Sequence, residues 1–214
     1  LLWRANVSTG FSAVAIAHGK LFTLGNSNET ESVGCMDAAT GRPLWRHTYA
    51  CPSDPEYHEG GPGSTPTIDG DHVYTLGKRG HLLCLEAATG KPVWQVNLTN
   101  AVGSAKPRWG FAGSPLVEGE LLILNAGAAG AAVNKRSGTT VWTSGTNAPG
   151  YATPVPFTAE GERCVALFAA KALVGVRVRD GHELWRHPWE TKWDINAADP
   201  IVVSSRVFIS SFDR

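Results

Sequence analysis

With 214 residues, of which 43% are hydrophobic and 18% charged, the chain has the composition of a folded protein with a sizeable core, which argues against disorder. Nineteen Lys and Arg balance nineteen Asp and Glu, and no basic run stands out, so a nucleic-acid partner is not expected. No apolar stretch reaches the roughly 18 residues needed to cross a bilayer, so no membrane span is expected in this segment.

The first predicted element is a strand at residues 1–7. Its sequence Leu2-Trp3-Arg4 matches the later endings Leu44-Trp45-Arg46 and Leu184-Trp185-Arg186. The chain therefore opens inside a repeat, without an initiator Met, and it ends at residue 214 within a strand-like run. From these two features we expect a fragment of a longer protein, whose own termini and signal peptide lie elsewhere.

A nine-residue marker recurs along the chain. Its four copies occupy residues 37–45, 86–94, 134–142 and 177–185, and Gly and Trp are four residues apart in each copy. The Trp residues of the four markers and Trp3 before them follow one another at intervals of 42 to 49 residues, a period typical of propeller blades. Helical repeats share this period, but each unit here consists of short β-branched and aliphatic runs divided by Gly, Asp, Asn and Pro.

The unit at residues 60–98 shows the predicted plan most clearly. Its strands are expected at residues 65–68, 72–76, 81–85 and 92–96, with turns at Asp69-Gly70-Asp71 and at 77–80 and a hairpin loop at 87–90. Four antiparallel strands of this kind make one blade. Proline in the first strands is expected to be tolerated, because that strand lies at the inner edge of the blade.

The other units follow the same plan, so the fold class is all-β, a propeller of four-stranded antiparallel blades. Complete blades are predicted at residues 11–49, 60–98, 109–145 and 150–188, with partial blades at 1–7 and 195–214 of a single segment, 1–214. The first strands are expected at 11–16, 113–117, 152–156 and 199–202, and the second strands at 21–24, 121–124, 164–168 and 206–209. The ring of the parent protein is expected to contain seven or eight blades.

The marker has a physical interpretation as a contact between blades. An acidic or amide side chain before the loop accepts backbone N–H groups, and Gly supplies the positive φ that closes the hairpin. The Trp lies on the outermost strand, where its flat ring can be buried against the next blade while the indole N–H finds a backbone acceptor. The residues assigned to this role are Asp37, Gly41, Trp45, Glu86, Gly90, Trp94, Gly138, Trp142, Gly181 and Trp185.

The marker at residues 37–45, D-x-x-T-G-x-x-x-W, resembles the tryptophan-docking motif of the PQQ-like β-propellers, and the resemblance covers almost the whole chain. That family includes the eight-bladed quinoprotein alcohol and glucose dehydrogenases and non-catalytic relatives such as the BamB scaffold of outer-membrane protein assembly. The amino-acid sequences of the repeats look most like those of exported propellers of environmental bacteria, and this resemblance implies a periplasmic or otherwise exported protein. The motif is specific for architecture and weak for chemistry.

If the strands alternate in direction, the loops between second and third strands lie on the same face as the connections between blades. Ligands of propellers usually bind on that face, which carries the aromatic, cationic and carboxylate side chains of the connections, including the run Trp193-Asp194-Ile195-Asn196. The candidate ligand-binding residues are Glu59, Lys78, Arg79, Arg108, Trp109, Tyr151, Lys171, Asp194, Asn196 and Asp199. We expect them to receive a protein partner or a small polar ligand.

The catalytic residues cannot be assigned from these patterns. For a quinoprotein dehydrogenase, the resemblance implies a Ca²⁺ ion held by Glu, Asn and Asp oxygens, an Arg near the quinone and a Trp beneath it. Residue types of this kind occur among the candidates, but none matches a catalytic motif of the family, and no adjacent Cys pair is present. No metal site is therefore assigned, and PQQ and Ca²⁺ are expected only if the chain belongs to a dehydrogenase.

The four cysteines, Cys35, Cys51, Cys84 and Cys164, form no C-x-x-C pair and are interpreted as buried core thiols. Three functions remain open on the sequence. The leading hypothesis is an exported binding or scaffold module, because the blade markers are strong and no catalytic set is recognised. The alternatives are a PQQ- and Ca-dependent dehydrogenase acting on alcohols or sugars, and the sensory propeller of a larger signalling protein.

Overall fold

A computed structural model describes residues 2–55 and 58–212. Its strands group into four complete four-stranded antiparallel sheets followed by one two-stranded sheet, which confirms the predicted β-propeller blades. Within each sheet the strands keep the order of the chain, so each strand is hydrogen-bonded to the next strand of the same sheet. Such up-and-down sheets need only short turns between strands, as the Gly- and Asp-rich sequence between the apolar runs requires.

The chain forms two compact units. The first contains Leu1–Val96 and Arg108–Ala112, and the second contains Asn97–Pro107 and Gly113–Arg214. The assignment of residues 1–214 to a single propeller segment remains a prediction.

Unit 1 contains two blades. Its strands are β1 (Ala15–Ala17), β2 (Lys20–Ser27), β3 (Thr30–Asp37), β4 (Pro43–Ala50), β5 (Thr67–Asp69), β6 (His72–Leu76), β7 (His81–Glu86) and β8 (Pro92–Asn97). The core lies between the two sheets, where Phe22 and Cys35 of the first blade pack with Val73 and Ala87 of the second, and Leu24 and Val33 pack with Leu83 and Leu85.

Unit 2 contains two further blades and a half-blade. The short helix α1 (Leu98–Ala101) precedes β9 (Leu116–Glu118), β10 (Leu121–Leu124), β11 (Ala131–Asn134), β12 (Thr140–Thr143), β13 (Val155–Ala159), β14 (Glu162–Phe168), β15 (Ala172–Arg177), β16 (Glu183–Pro188), β17 (Ile201–Val203) and β18 (Arg206–Phe208). The middle strands are apolar and buried on both faces, as expected for strands covered by neighbouring sheets.

The helix α1 was not predicted. It begins at Asn97, whose Oδ1 accepts the backbone N–H of Thr99 at 3.0 Å and so caps the first turn. Its four residues are too few for a periodic apolar pattern, so the sequence offered only the capping side chain as a signal. Among the described residues, no helix has the length and apolar character needed to cross a membrane.

The predicted starts of the first strands were wrong by two to four residues. Strands β5, β9, β13 and β17 each begin directly after a proline, at Pro66, Pro115, Pro154 and Pro200, rather than including it. A proline has no N–H to give to the ladder, but it can still be paired in an edge strand, as Pro156 is with Val165 inside β13. The proline alone therefore does not fix where a first strand begins. In the first blade, β1 begins at Ala15 instead of residue 11, for which no proline offers an explanation.

The predicted outer strand at residues 1–7 has no partner strand in the part of the chain that the structure describes, so the partial blade there stays a prediction. Residues 2–8 belong to no strand, and the first pairing in the chain is an isolated bridge between Thr9 and Asn26. A strand exists only where a neighbouring strand accepts and donates its backbone hydrogen bonds. Trp3 nevertheless makes the contact expected of the marker, because its Nε1 donates to the carbonyl oxygen of Ala38 at 3.2 Å.

The marker Trp residues meet the markers of the following blade. In unit 1, Trp45 Nε1 donates to Ala87 O at 3.1 Å, and in unit 2, Trp142 Nε1 donates to Val178 O at 2.8 Å. Each ring lies over the marker glycine, so closely that a Cβ built on Gly90 would be 2.4 Å from Trp45 Cε3, and one on Gly181 would be 2.5 Å from Trp142 Cε3. The glycines have φ near +70°, at 73° for Gly90 and 70° for Gly181. Only glycine fits both this conformation and this contact.

The remaining marker residues close their own hairpins. Asp37 Oδ1 accepts the backbone N–H groups of Ala39 and Thr40 and the Thr40 hydroxyl, and these hydrogen bonds from Thr40 lower the pKa of Asp37 below its ordinary value. Glu86 accepts the Thr89 hydroxyl in the same way. Gly41 and Gly138 have φ values of 73° and 72°. Trp94 packs with Tyr74, and Trp185 packs with Phe157 and over Gly175.

All four cysteines are buried and free, in agreement with their interpretation as core thiols. Burial raises the pKa of Cys35 and Cys84 to about 11 and the pKa of Cys51 to about 12. These thiols therefore remain protonated near neutral pH.

Candidate functional site

In each unit, the loops between second and third strands lie beside the connections between blades. In unit 1, the carboxylate of Glu29, in the β2–β3 turn, accepts the backbone N–H of Ser53 at 3.2 Å and its hydroxyl at 2.9 Å. In unit 2, the carbonyl oxygen of Lys171, in the β14–β15 loop, accepts the backbone N–H of Trp189 at 2.9 Å. These loops form the face on which the candidate residues were expected, which we call the mouth face of each unit.

On the mouth face of unit 1, a buried polar cluster joins the two blades. The Glu31 carboxylate is fully buried, and it accepts the Tyr49 hydroxyl at 2.7 Å and the backbone N–H of Lys78 at 3.0 Å. The Lys78 side chain is 1% exposed, and its Nζ donates to Asp54 O at 3.0 Å. Because buried polar groups need partners, the cluster fixes the β6–β7 turn against the first blade.

The surroundings of this cluster shift the ionisation of its neighbours. Burial, together with the nearby Glu31 carboxylate, raises the pKa of Tyr49 well above its ordinary value. Burial lowers the pKa of His81, whose ring lies 4.9 Å from that of Tyr49. Arg79 binds the Asp54 carboxylate with two nitrogens, at 2.9 and 2.6 Å. Lys78 and Arg79 thus both contact the connection that follows the first blade.

The three other candidates of unit 1 are more accessible. Glu59 is exposed and lines a polar cleft, and the exposed Arg108 places its guanidinium 5.1 Å from the ring centre of Trp109. A cation over an indole face is a favourable pair that orients both side chains.

In unit 2, the structure brings two predicted residues together in a charged cleft. Lys171 and Asp194 line a cavity of about 290 Å³ with Arg186, Asn147 and three alanines. Arg186 is held by Glu183 through two contacts of 2.9 and 2.6 Å, and Asp194 has a left-handed backbone with φ of 55°. The cleft therefore presents both charge signs on a fixed loop framework.

The sequence analysis did not select Arg186 or Asn147. Arg186 follows a marker Trp, as Arg4 and Arg46 do, so it looked like part of the repeat. Only the arrangement of the loops shows that this copy borders the charged cleft.

The other candidates of unit 2 hold connections in place. Asn196 is fully buried, and its amide donates to Ala169 O at 2.8 Å and Ala170 O at 3.0 Å. Asp199 accepts the backbone N–H of Thr153 at 2.6 Å, and the Tyr151 N–H donates to Asn196 O at 2.9 Å. These side chains tie the connection at residues 189–199 to the loops beside it.

The same connection carries two exposed apolar side chains. Trp193 is 53% exposed and Ile195 is 41% exposed. Both line a depression of about 550 Å³ with Lys192 and the small residues Ala197 and Ala198. Lys192 Nζ lies 5.7 Å from the ring centre of Trp193, which places a cation beside an accessible aromatic surface.

The expected Ca²⁺ ligands do not fit a calcium shell. The buried amide of Asn196 is used by backbone carbonyls and by the hydroxyl of Thr191, and Asp199 caps a backbone N–H. Within residues 2–55 and 58–212, no three His, Cys, Asp or Glu side chains come together as metal ligands. One oxygen of Asp199 and the amide oxygen of Asn196 are therefore engaged by groups of the chain itself.

A family model described as outer membrane protein assembly factor BamB matches residues 29–214 of the chain. Among solved structures, BamB from Moraxella catarrhalis is 17% identical with a TM-score of 0.63, over 92% of this chain and 57% of that chain. The quinohemoprotein alcohol dehydrogenase ADHIIG from Pseudomonas putida HK5 is 14% identical with a TM-score of 0.64, over 96% of this chain and 39% of that chain.

The quinohemoprotein alcohol dehydrogenase from Comamonas testosteroni is 16% identical with a TM-score of 0.61, over 92% of this chain and 39% of that chain. At such identities the likeness concerns the fold. The chain thus spans about 57% of the BamB structure and about 39% of the two dehydrogenases. No curated protein matches the chain.

Proposed function

Because the chain belongs to the family described as outer membrane protein assembly factor BamB, we propose that it is part of an exported β-propeller that binds a protein partner as a scaffold. The proposal places the protein in the periplasm, where an assembly factor for outer-membrane proteins would act. It concerns the whole protein, of which this chain is one segment.

The observation that carries the proposal is the exposed pair Trp193 and Ile195 beside the charged cleft of Lys171, Asp194 and Arg186. Protein interfaces combine a few aromatic anchors with a rim of polar and charged groups. An exposed Trp on a loop held by the buried Asn196 would be such an anchor, already fixed before binding.

The contacts between blades support the same reading. Trp45 over Gly90 and Trp142 over Gly181 are, in this proposal, the tryptophan-docking contacts of the family. They make each blade junction rigid and leave the loops of the mouth face free to differ between repeats. A scaffold needs this combination of a fixed frame and variable loops.

The second candidate is a dehydrogenase that uses PQQ and Ca²⁺ to oxidise alcohols or sugars, and the fold of the two quinohemoprotein dehydrogenases favours it. Bound PQQ would supply the redox chemistry. The engagement of Asn196 and Asp199 in connections speaks against these two residues as Ca²⁺ ligands, so no catalytic step is derived from them. A sensory propeller of a larger signalling protein is the third candidate.

Photo-cross-linking in cells tests the scaffold proposal. A photoreactive benzoylphenylalanine replaces Trp193 in the full-length protein, and a control replaces Ser205, which is exposed in the β17–β18 turn. We expect one cross-linked protein from position 193 and none from position 205. Trp193→Ala should weaken binding of the purified partner by about 30-fold or more, the loss typical of an interface hot spot.

The dehydrogenase alternative is tested on the same full-length protein. PQQ and Ca²⁺ are titrated spectroscopically, and dye reduction is then followed with primary alcohols and with glucose. Stoichiometric PQQ binding with turnover would establish the dehydrogenase and refute a purely binding role. No cross-link at position 193 together with no PQQ binding would reject both candidates.

A further inference from the structure

A second cleft, different from the charged one, opens on the mouth face of unit 1. Its volume is about 490 Å³, within the range of roughly 300–1,000 Å³ that is usual for small-molecule sites. Four Ser or Thr residues, three Asn residues and Glu59 line it. Its wall therefore consists of hydroxyl and carboxamide groups with a single carboxylate.

The three segments that form this cleft are tied together. Thr9 and Asn26 exchange backbone hydrogen bonds of 3.0 and 2.7 Å, and the buried Asn26 side chain donates to Cys51 O at 2.8 Å. Ser53 is bonded to Glu29 through its backbone and its hydroxyl. The cleft is thus preformed rather than assembled around a ligand, which lowers the entropic cost of binding.

The backbone around the cleft is strained. Eight non-glycine residues among those described have positive φ, and two of them, Ser8 at 70° and Asn28 at 52°, line this cleft. Two more, Glu29 at 57° and Asp54 at 46°, directly follow the lining residues Asn28 and Ser53. Such conformations cost free energy and concentrate at ligand sites. Asn28 and Ser8 thus line the cleft from positions with left-handed backbone, and the Ser8 hydroxyl also accepts a hydrogen bond from Arg46 at 3.2 Å.

The chemistry of the wall selects the class of ligand. Among the described residues that line the cleft there is no Lys or Arg, and Glu59 is the one carboxylate. The nearby charges of Arg46 and Glu29 are engaged by the wall hydroxyls of Ser8 and Ser53. Such a wall offers little to an anion or to a divalent cation. An apolar molecule would lose the hydration of the hydroxyl and amide groups without any compensation. A neutral molecule with several hydroxyl groups would satisfy both the donors and the acceptors.

An exposed aromatic ring lies in one of the segments that form the cleft. Phe11 is 59% exposed and packs edge-on against His58, with ring centres 5.2 Å apart. Phe11 follows the lining residue Thr9 by two positions and His58 directly precedes the lining residue Glu59, so the pair belongs to two of the segments that form the cleft. A flat apolar ring beside hydroxyl-binding groups suits the C–H face of a sugar ring.

We propose that this cleft of unit 1 is a binding subsite for a neutral saccharide. The inference does not depend on the partner-binding function proposed above, because it concerns other loops and another ligand class. It involves binding alone, with no chemical change of the sugar.

Titration calorimetry on the full-length protein tests the proposal. The probes are maltotriose, cellotriose and chitotriose, with inorganic phosphate and CaCl₂ as the anionic and cationic alternatives. Asn28→Gly removes a carboxamide from the wall while glycine keeps the left-handed backbone without strain, so folding is not put at risk. Glu59→Gln removes the carboxylate found among the described wall residues and tests the cationic alternative, and the exposed Ser205→Ala is the control.

We expect at least one trisaccharide to bind, with about tenfold weaker binding in Asn28→Gly, the factor for losing one or two neutral hydrogen bonds. Ser205→Ala should stay within about threefold of the original affinity. The proposal fails if no trisaccharide binds or if Asn28→Gly binds as well as the parent protein. Binding of CaCl₂ that Glu59→Gln abolishes would instead identify a cation site and also overturn it.

Discussion

The contact of Trp142 with Gly181 gives a prediction in which two glycine substitutions differ in one respect only. Gly181 and Gly161 have similar left-handed backbones, with φ of 70° and 78°. A Cβ on Gly181 would be 2.5 Å from Trp142 Cε3, whereas a Cβ on Gly161 would meet nothing within 4 Å. Alanine at either position costs about 1–2 kcal/mol for the left-handed conformation. At Gly181 it adds about 1–3 kcal/mol for overpacking against the indole.

Gly181→Ala should therefore destabilise the protein by about 2–5 kcal/mol and Gly161→Ala by about 1–2 kcal/mol. Urea unfolding followed by circular dichroism gives both free energies of unfolding, provided that the slope of the free energy against urea concentration is the same in the variants as in the parent protein. In a Trp142→Ala background the ring is absent, so the two alanine variants should become equal in cost. A difference below about 0.5 kcal/mol in the parent protein, the limit of additivity for independent sites, would refute the contact as described.

Three further predictions concern the interior of the blades. Glu31→Ala should lower the free energy of unfolding, measured with urea, by about 2–4 kcal/mol, because the Tyr49 hydroxyl and the Lys78 N–H stay buried without their acceptor. Glu31→Gln keeps an acceptor and should lower it clearly less. Equal losses in the two variants would contradict this role of Glu31. Burial holds the pKa values of His47 and His81 below their ordinary value, so the folded chain binds fewer protons than the unfolded one. The melting temperature should then be highest above about pH 6.5 and should fall as the pH is lowered. In His81→Phe this fall should be less steep. A melting temperature that rises on acidification would rule the explanation out. The four buried thiols should not react with Ellman's reagent at about pH 8 in the folded protein, and all four should react after unfolding. Fast reaction of the folded protein would instead mean that a cysteine is accessible.

The blades could be predicted because their signals are local and repeated. The marker places a positive-φ glycine and a Trp at fixed spacing, and the structure joins them as the spacing indicated in Trp45 and Trp142. The starts of the first strands could not be predicted to the residue, because the first paired residue depends on the strand opposite.

The candidate site was less predictable, because it is made by loops that are distant in sequence. Asn196 was chosen as a ligand residue on its type and position, but its amide is used by carbonyls 26 and 27 residues away. Glu31 stands in a strand between ordinary neighbours, and only the approach of Tyr49 and the Lys78 turn makes it a buried hub. Neither the surroundings of Asn196 nor those of Glu31 could be predicted from the residues next to them in the sequence.

The contact between marker Trp and marker Gly has a consequence for how such a protein can lengthen. In three places a Trp packs over the marker glycine that follows it in the chain, as Trp3 with Gly41, Trp45 with Gly90 and Trp142 with Gly181 show. A duplicated gene segment that encodes one whole blade would thus bring both halves of the join with it. The copy could be inserted between existing blades without any compensating mutation at either neighbour, so the number of repeats could change in a single genetic step while the loops diverged afterwards.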